Sequence, residues 1–161
     1  MPVFGICTTG KRFVVSSCLP CFHRKNRTMS YDLMVFDPAA APAKRPAFLD
    51  WYEEQTAWNE DHDYDDPAVA APALQAFYAD LAAEFPPVPD DAADPASGTD
   101  YTIGRALIYM SFLDWDRIDA AWEAVHRLAA RHELGFFDVS SDLAEVWLPD
   151  RKGGLRVAHA D

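Results

Sequence analysis

The sequence predicts one α+β domain, in the order β-α-α-β-α-β-β, with helices packed on one face of a small sheet. Three observations predict it. Residues 31–36 (Tyr-Asp-Leu-Met-Val-Phe) form a compact apolar run closed by the turn signal Asp37-Pro38. Leu74, Phe77, Tyr78, Leu81 and Phe85 recur at helical spacing along one stripe. Residues 101–112 read as a long strand, followed by a helix with acids gathered at its start and bases at its end. At 161 residues, half of them hydrophobic, the chain can bury a core without a metal or disulfides.

After the first strand, the Ala/Pro-rich run 39–46 is a connector, and Pro46 suits the first turn of a helix. Phe48, Trp51, Tyr52, Gln55 and Trp58 follow at helical spacing. An acidic loop, 59–66, ends at Pro67. Pro86-Pro87-Val88-Pro89 stops the second helix, and a second acidic loop spans 90–99. In the 101–112 strand Arg105 interrupts the apolar set, and residues 106–110 read as buried on both faces, as in a central strand. Ile118, Trp122, Val125 and Ala129 make the stripe of the third helix, with Gly135 as its expected stop. Segments 136–139 and 145–148 read as two short strands joined by a polar turn. Residues 150–161 read as a tail. Trp51, Trp58, Trp122 and Trp147 all fall on expected core faces.

Charge divides the chain. Residues 1–28 carry Lys11, Arg12, Arg24, Lys25 and Arg27 without an acid, a formal +5, and the remainder is −17, for a total of −12. The expected organisation is a basic leader outside the fold (1–28), a domain over 29–149 and the tail. Met29-Ser30-Tyr31 reads like a domain start, so the leader is expected to come from an upstream start codon. All three cysteines, Cys7, Cys18 and Cys21, lie in the leader, which suits a reducing, cytoplasmic location for a disulfide-free body. A body this acidic repels phosphates and anionic lipids, which excludes nucleic acid and membrane surfaces as natural partners. No apolar run approaches the ~18–20 residues of a membrane span.

Familiar chemistries are hard to assemble. Cys18-Leu-Pro-Cys21 lacks a second cysteine pair for zinc. Asp61, Asp63 and Asp65 match the opening of a calcium loop, but Asp66 stands where the sharp turn needs Gly and Pro72 where closure needs Glu. The five histidines give no metal-ligand or H-E-x-x-H spacing, and G-x-S-x-G is absent. No cofactor, metal or catalytic set is therefore expected. The alternative is a small hydrolase using Asp138 with Ser140 or a histidine, because Asp138, Ser140, Ser141 and Asp142 cluster after a strand.

The segments Met29-Ser-Tyr-Asp-Leu-Met-Val-Phe-Asp-Pro38, Phe48-x-x-Trp51-Tyr52-x-x-Gln55-Thr56-x-Trp58, Thr99-Asp-Tyr-Thr-Ile-Gly104 and Gly135-Phe-Phe-Asp-Val-Ser-Ser141 resemble a set of small acidic bacterial proteins. Those proteins are in turn similar to immunity proteins of bacterial toxin systems. The resemblance implies an immunity protein that covers the active site of a basic toxin, and the −17 body without a catalytic set likewise predicts a non-enzymatic binding protein, monomeric or homodimeric. The expected docking carboxylates are Glu60, Asp61, Asp63, Asp65 and Asp66, with Asp90, Asp91 and Asp94 second.

Overall fold

In the computed structural model, which describes residues 29–94 and 98–161, the first apolar run becomes the hub of a sheet. Strand β1 (Tyr31–Phe36) lies between β3 (Leu107–Phe112) and β4 (Gly135–Phe137), antiparallel to both. Strand β2 (Thr99–Ile103) flanks β3, while β5 (Val146–Pro149) and β6 (Leu155–His159) extend the sheet beyond β4. The order is β2-β3-β1-β4-β5-β6, and the class is a small single-domain α+β fold.

Alternation along β1 makes two cores. Leu33 and Val35, with Ile108, Met110 and Phe136, face α2 (Pro72–Glu84) and α3 (Ile118–Arg131), which contribute Leu74, Phe77, Leu81, Val125 and Leu128. Met34 and Phe36, with Leu107 and Phe137, face α1 (Arg45–Gln55), whose Phe48 ring meets those of Phe36 and Phe137. Helices α2 and α3 share one face, while α1 covers the other. Without α1 the Met34–Phe36 stripe would stay in water, at a cost of roughly 1.5–3 kcal/mol per large side chain. The four tryptophans flagged above are half-buried and sit at the margins of these cores.

Three local readings change. The 101–112 segment is a hairpin rather than one strand. It turns at Gly104, Arg105 and Ala106, and the Gly104 N–H donates to the Leu107 carbonyl at 2.9 Å. The 150–161 segment is not a tail. The Asp150 carboxylate accepts from the N–H groups of Lys152 and Gly154, Gly153 takes the left-handed φ of 81°, and the chain returns as β6. Arg45 of α1 then ties down the end of this segment by bonding Asp161 and the Ala144 carbonyl.

Gly135 does not stop α3. Glu133 does, at φ 55°, with Leu134 N–H bonded to Ala129 O and Glu133 N–H to Ala130 O, a Schellman closure with Leu134 buried. Gly135 is needed because the Phe36 ring lies over it. A Cβ there would fall 2.2 Å from the Phe36 Cζ.

Candidate partner-binding surface

The first acidic loop is a built strap. Beyond α1 the chain turns at Trp58, which adopts a left-handed φ of 53°, and runs along the end of the β2–β3 hairpin. Tyr64 anchors it. Its ring meets those of Trp58 and His62, its hydroxyl accepts from the Glu60 N–H at 2.6 Å, and its carbonyl accepts from the Ile103 N–H at 2.8 Å. The Glu60 carboxylate bonds His62 Nε2 and the Arg105 backbone N–H, while Arg105 Nη2 reaches Asp61 at 2.8 Å.

These contacts sort the expected docking carboxylates. Glu60 faces inward and holds the strap together. Asp66 is exposed but accepts from the Ala68 N–H, capping a short 3-10 turn. Asp61 (side chain 89% exposed), Asp63 and Asp65 project outward. Arg105 beside Asp61 holds its carboxyl below the usual range. His62 is pushed toward its charged form by bonds to the Asp63 carbonyl and then to Glu60, so neither nitrogen is open for a ligand.

Asp90, Asp91 and Asp94 are also exposed, but at the opposite end of β2. There Pro86 and Val88 bracket Thr99: Thr99 N–H donates to Pro86 O and Val88 N–H to Thr99 O. Four residue steps separate Thr99 from Ile103, about 13 Å of strand. The two acidic groups therefore flank one sheet edge instead of merging. The calcium-like Asp61, Asp63 and Asp65 do not converge; among the described residues no three His, Cys, Asp or Glu side chains are placed to hold a metal ion.

The hydrolase alternative rested on Asp138 and Ser140. Asp138 is 5% exposed, and its oxygens accept from Tyr31 Oη (3.0 Å), Trp122 Nε1 (2.8 Å) and Ser141 N–H (3.1 Å). Ser140 Oγ accepts from Asp32 N–H, and Ser141 Oγ donates to Glu145. Among the described residues, the histidine–carboxylate bonds are His62–Glu60 and His132–Asp80, both away from Asp138. Asp138 thus fastens the β4–β5 turn to β1 and α3. A cleft between Phe85, Thr99, Phe112 and Arg117 measures about 50 Å³, far below the roughly 300–1,000 Å³ of small-molecule sites.

The roles of Tyr64, His62 and Arg105 in organising the strap are not legible in the sequence. The available signal was Arg105 itself, a cation interrupting an apolar strand beside a glycine. Cys18, Cys21 and the rest of the leader lie outside the described residues. No helix among the described residues is long and apolar enough to cross a membrane.

Fold and surface together define a small α+β protein whose β2 edge is capped at both ends by acidic connections and whose β4–β5 turn is fastened by Asp138. No protein-family model matches the chain, and neither a curated protein nor a solved structure does so.

Proposed function

We propose that this protein acts by binding, with the acidic margin along β2 docking on a basic protein surface in the manner of an immunity protein on its toxin. The observation that carries the reading is the strap. Asp61, Asp63 and Asp65 stand out from a loop already locked by Tyr64, Glu60 and His62. A preformed loop loses little freedom on binding, which lowers the cost of association. Asp90 and Asp91 lie beyond the other end of a strand about 13 Å long, a span that the footprint of one partner of standard interface size covers. Charge of this kind acts mainly on association rate and selectivity.

The test is co-purification with a basic protein encoded by a neighbouring gene, followed by stopped-flow association at several salt concentrations. Asp61→Asn, Asp63→Asn, Asp65→Asn, Asp90→Asn and Asp91→Asn combined should slow association by on the order of tenfold at low salt. Identical rates for variant and parent would remove this surface from the interface.

A further inference from the structure

We infer that the opposite edge of the sheet, strand β6, is a docking site for an extended acidic segment of a partner protein, taken up as a seventh strand. Hydrogen-bond parity decides which backbone groups of β6 face outward. Asp150 N–H donates to Gly154 O, closing the β5–β6 hairpin. Antiparallel pairs alternate between bonded and non-bonded, so Leu148–Arg156 is bonded and Pro149–Leu155 and Trp147–Val157 are not. Pro149, with no N–H to give, sits at a position where none is needed. Leu155 and Val157 therefore turn their N–H and C=O groups away from β5, and these groups have no partner among the described residues.

Native sheets commonly blunt such an edge. Here β2 is blunted: its outward positions by the same parity are Thr99, Tyr101 and Ile103, and Thr99 and Ile103 are capped by Pro86, Val88 and Tyr64. Strand β6 is left open, and Val157 keeps 46% of its surface exposed.

The side chains select the occupant. Arg151, Lys152 and Arg156 gather on this hairpin against one carboxylate in its turn, Asp150, which the Gly154 and Lys152 N–H groups and then Arg156 hold ionised, so the cations outnumber it. This is a cationic margin on an otherwise acidic body. A second copy pairing antiparallel through Leu155 and Val157 would set Arg156 directly against Arg156, and like charges so placed are unfavourable. A strand with Asp or Glu opposite Arg156, flanked by apolar residues beside Leu155 and Val157, satisfies the backbone and the charge together. This is recognition by strand addition: main-chain bonds supply affinity and alternate side chains supply selectivity.

The experiment is an NMR titration of 15N-labelled protein with the capped peptide Thr-Val-Glu-Val-Thr, alongside its Glu-to-Lys counterpart. Shifts and slowed amide exchange should appear at Leu155 and Val157 and spare the Arg156 amide, which already bonds β5. Val157→Pro removes an outward N–H without touching the internal ladder, so it should abolish the response in a folded protein. N-methylation of the peptide should abolish it with the protein unaltered. Arg156→Glu should reverse the preference toward the Lys peptide, by about two- to fivefold for one cross-strand pair. No response at Leu155 and Val157 at millimolar peptide overturns the inference. So do equal responses to both peptides, and self-association that Val157→Pro abolishes.

Discussion

Along β2, Thr99 and Ile103 give their outward backbone groups to Pro86, Val88 and Tyr64, whereas along β6 the equivalent groups of Leu155 and Val157 face outward without partners among the described residues. The side chains differ in the same sense. Next to β2, Glu60, His62, Tyr64 and Arg105 satisfy one another. Toward β6, Trp147 Nε1 and the adjacent His126 Nε2 are buried with no hydrogen-bond partner. The two ends also titrate oppositely. His62 has its pKa raised, so its contribution is complete below about 6.5 and is lost as pH climbs through the raised value. Burial lowers the pKa of His126 and His159, so stability falls as pH drops below 6.5 toward their lowered values. One margin is thus capped at both its ends, Thr99 and Ile103, by the chain itself, and the other carries no such caps among the described residues.

The largest expected effect comes from breaking the sealed margin. Tyr64→Ala removes the ring contacts to Trp58 and His62 and the hydroxyl that accepts from Glu60. Denaturant unfolding should show a loss of about 2–3 kcal/mol, just below the range for a fully buried aromatic. Hydrogen exchange at the Ile103 amide should accelerate. If that amide stays protected, the strap does not depend on Tyr64.

A smaller change sharpens the contrast from the other end. His126 stacks on Trp122 and meets Phe136 and Trp147 edge-on. His126→Phe keeps the ring contacts and deletes the unpartnered nitrogen. It should stabilise the fold by about 1 kcal/mol and flatten the decline below pH 6.5, leaving the part due to His159. A pH–stability curve parallel to that of the parent would show that His126 does not cause the decline. The smallest effect lies between the two margins. Glu133→Gly relieves the left-handed backbone at the end of α3 and should raise stability by about 0.5–1 kcal/mol in thermal unfolding. A loss would mean that the Glu133 side chain matters more than its φ.

Elements built from near neighbours are legible in the sequence. The β1 run reads as a strand because both its faces are buried, and the stripes of α2 and α3 read as helices because each meets a continuous core. The misread segments depend on distant residues. Gly104 and Arg105 look like a blemish in one strand until the Glu60 carboxylate is placed on the Arg105 amide, 45 residues away in sequence. Segment 150–161 carries too few apolar residues to announce a strand, yet Asp150 and Gly153 build its turn and Arg45 secures its end. At the candidate surface, sequence identified the acidic positions but not their roles: Glu60 and its neighbours differ only in which way the folded strap turns them.

From the sequence alone follow the α+β class, the helical stripes, the absence of cysteine after residue 28 and the sign of the surface, because composition and short-range periodicity carry them. Tertiary structure decided that α1 covers the second face and that the carboxylates divide between structural and displayed roles. It also decided which sheet margin is closed. The reason is physical: whether a backbone N–H points at a neighbour or at solvent depends on register parity and on chain segments far away in sequence, and neither is carried by any local window of residues.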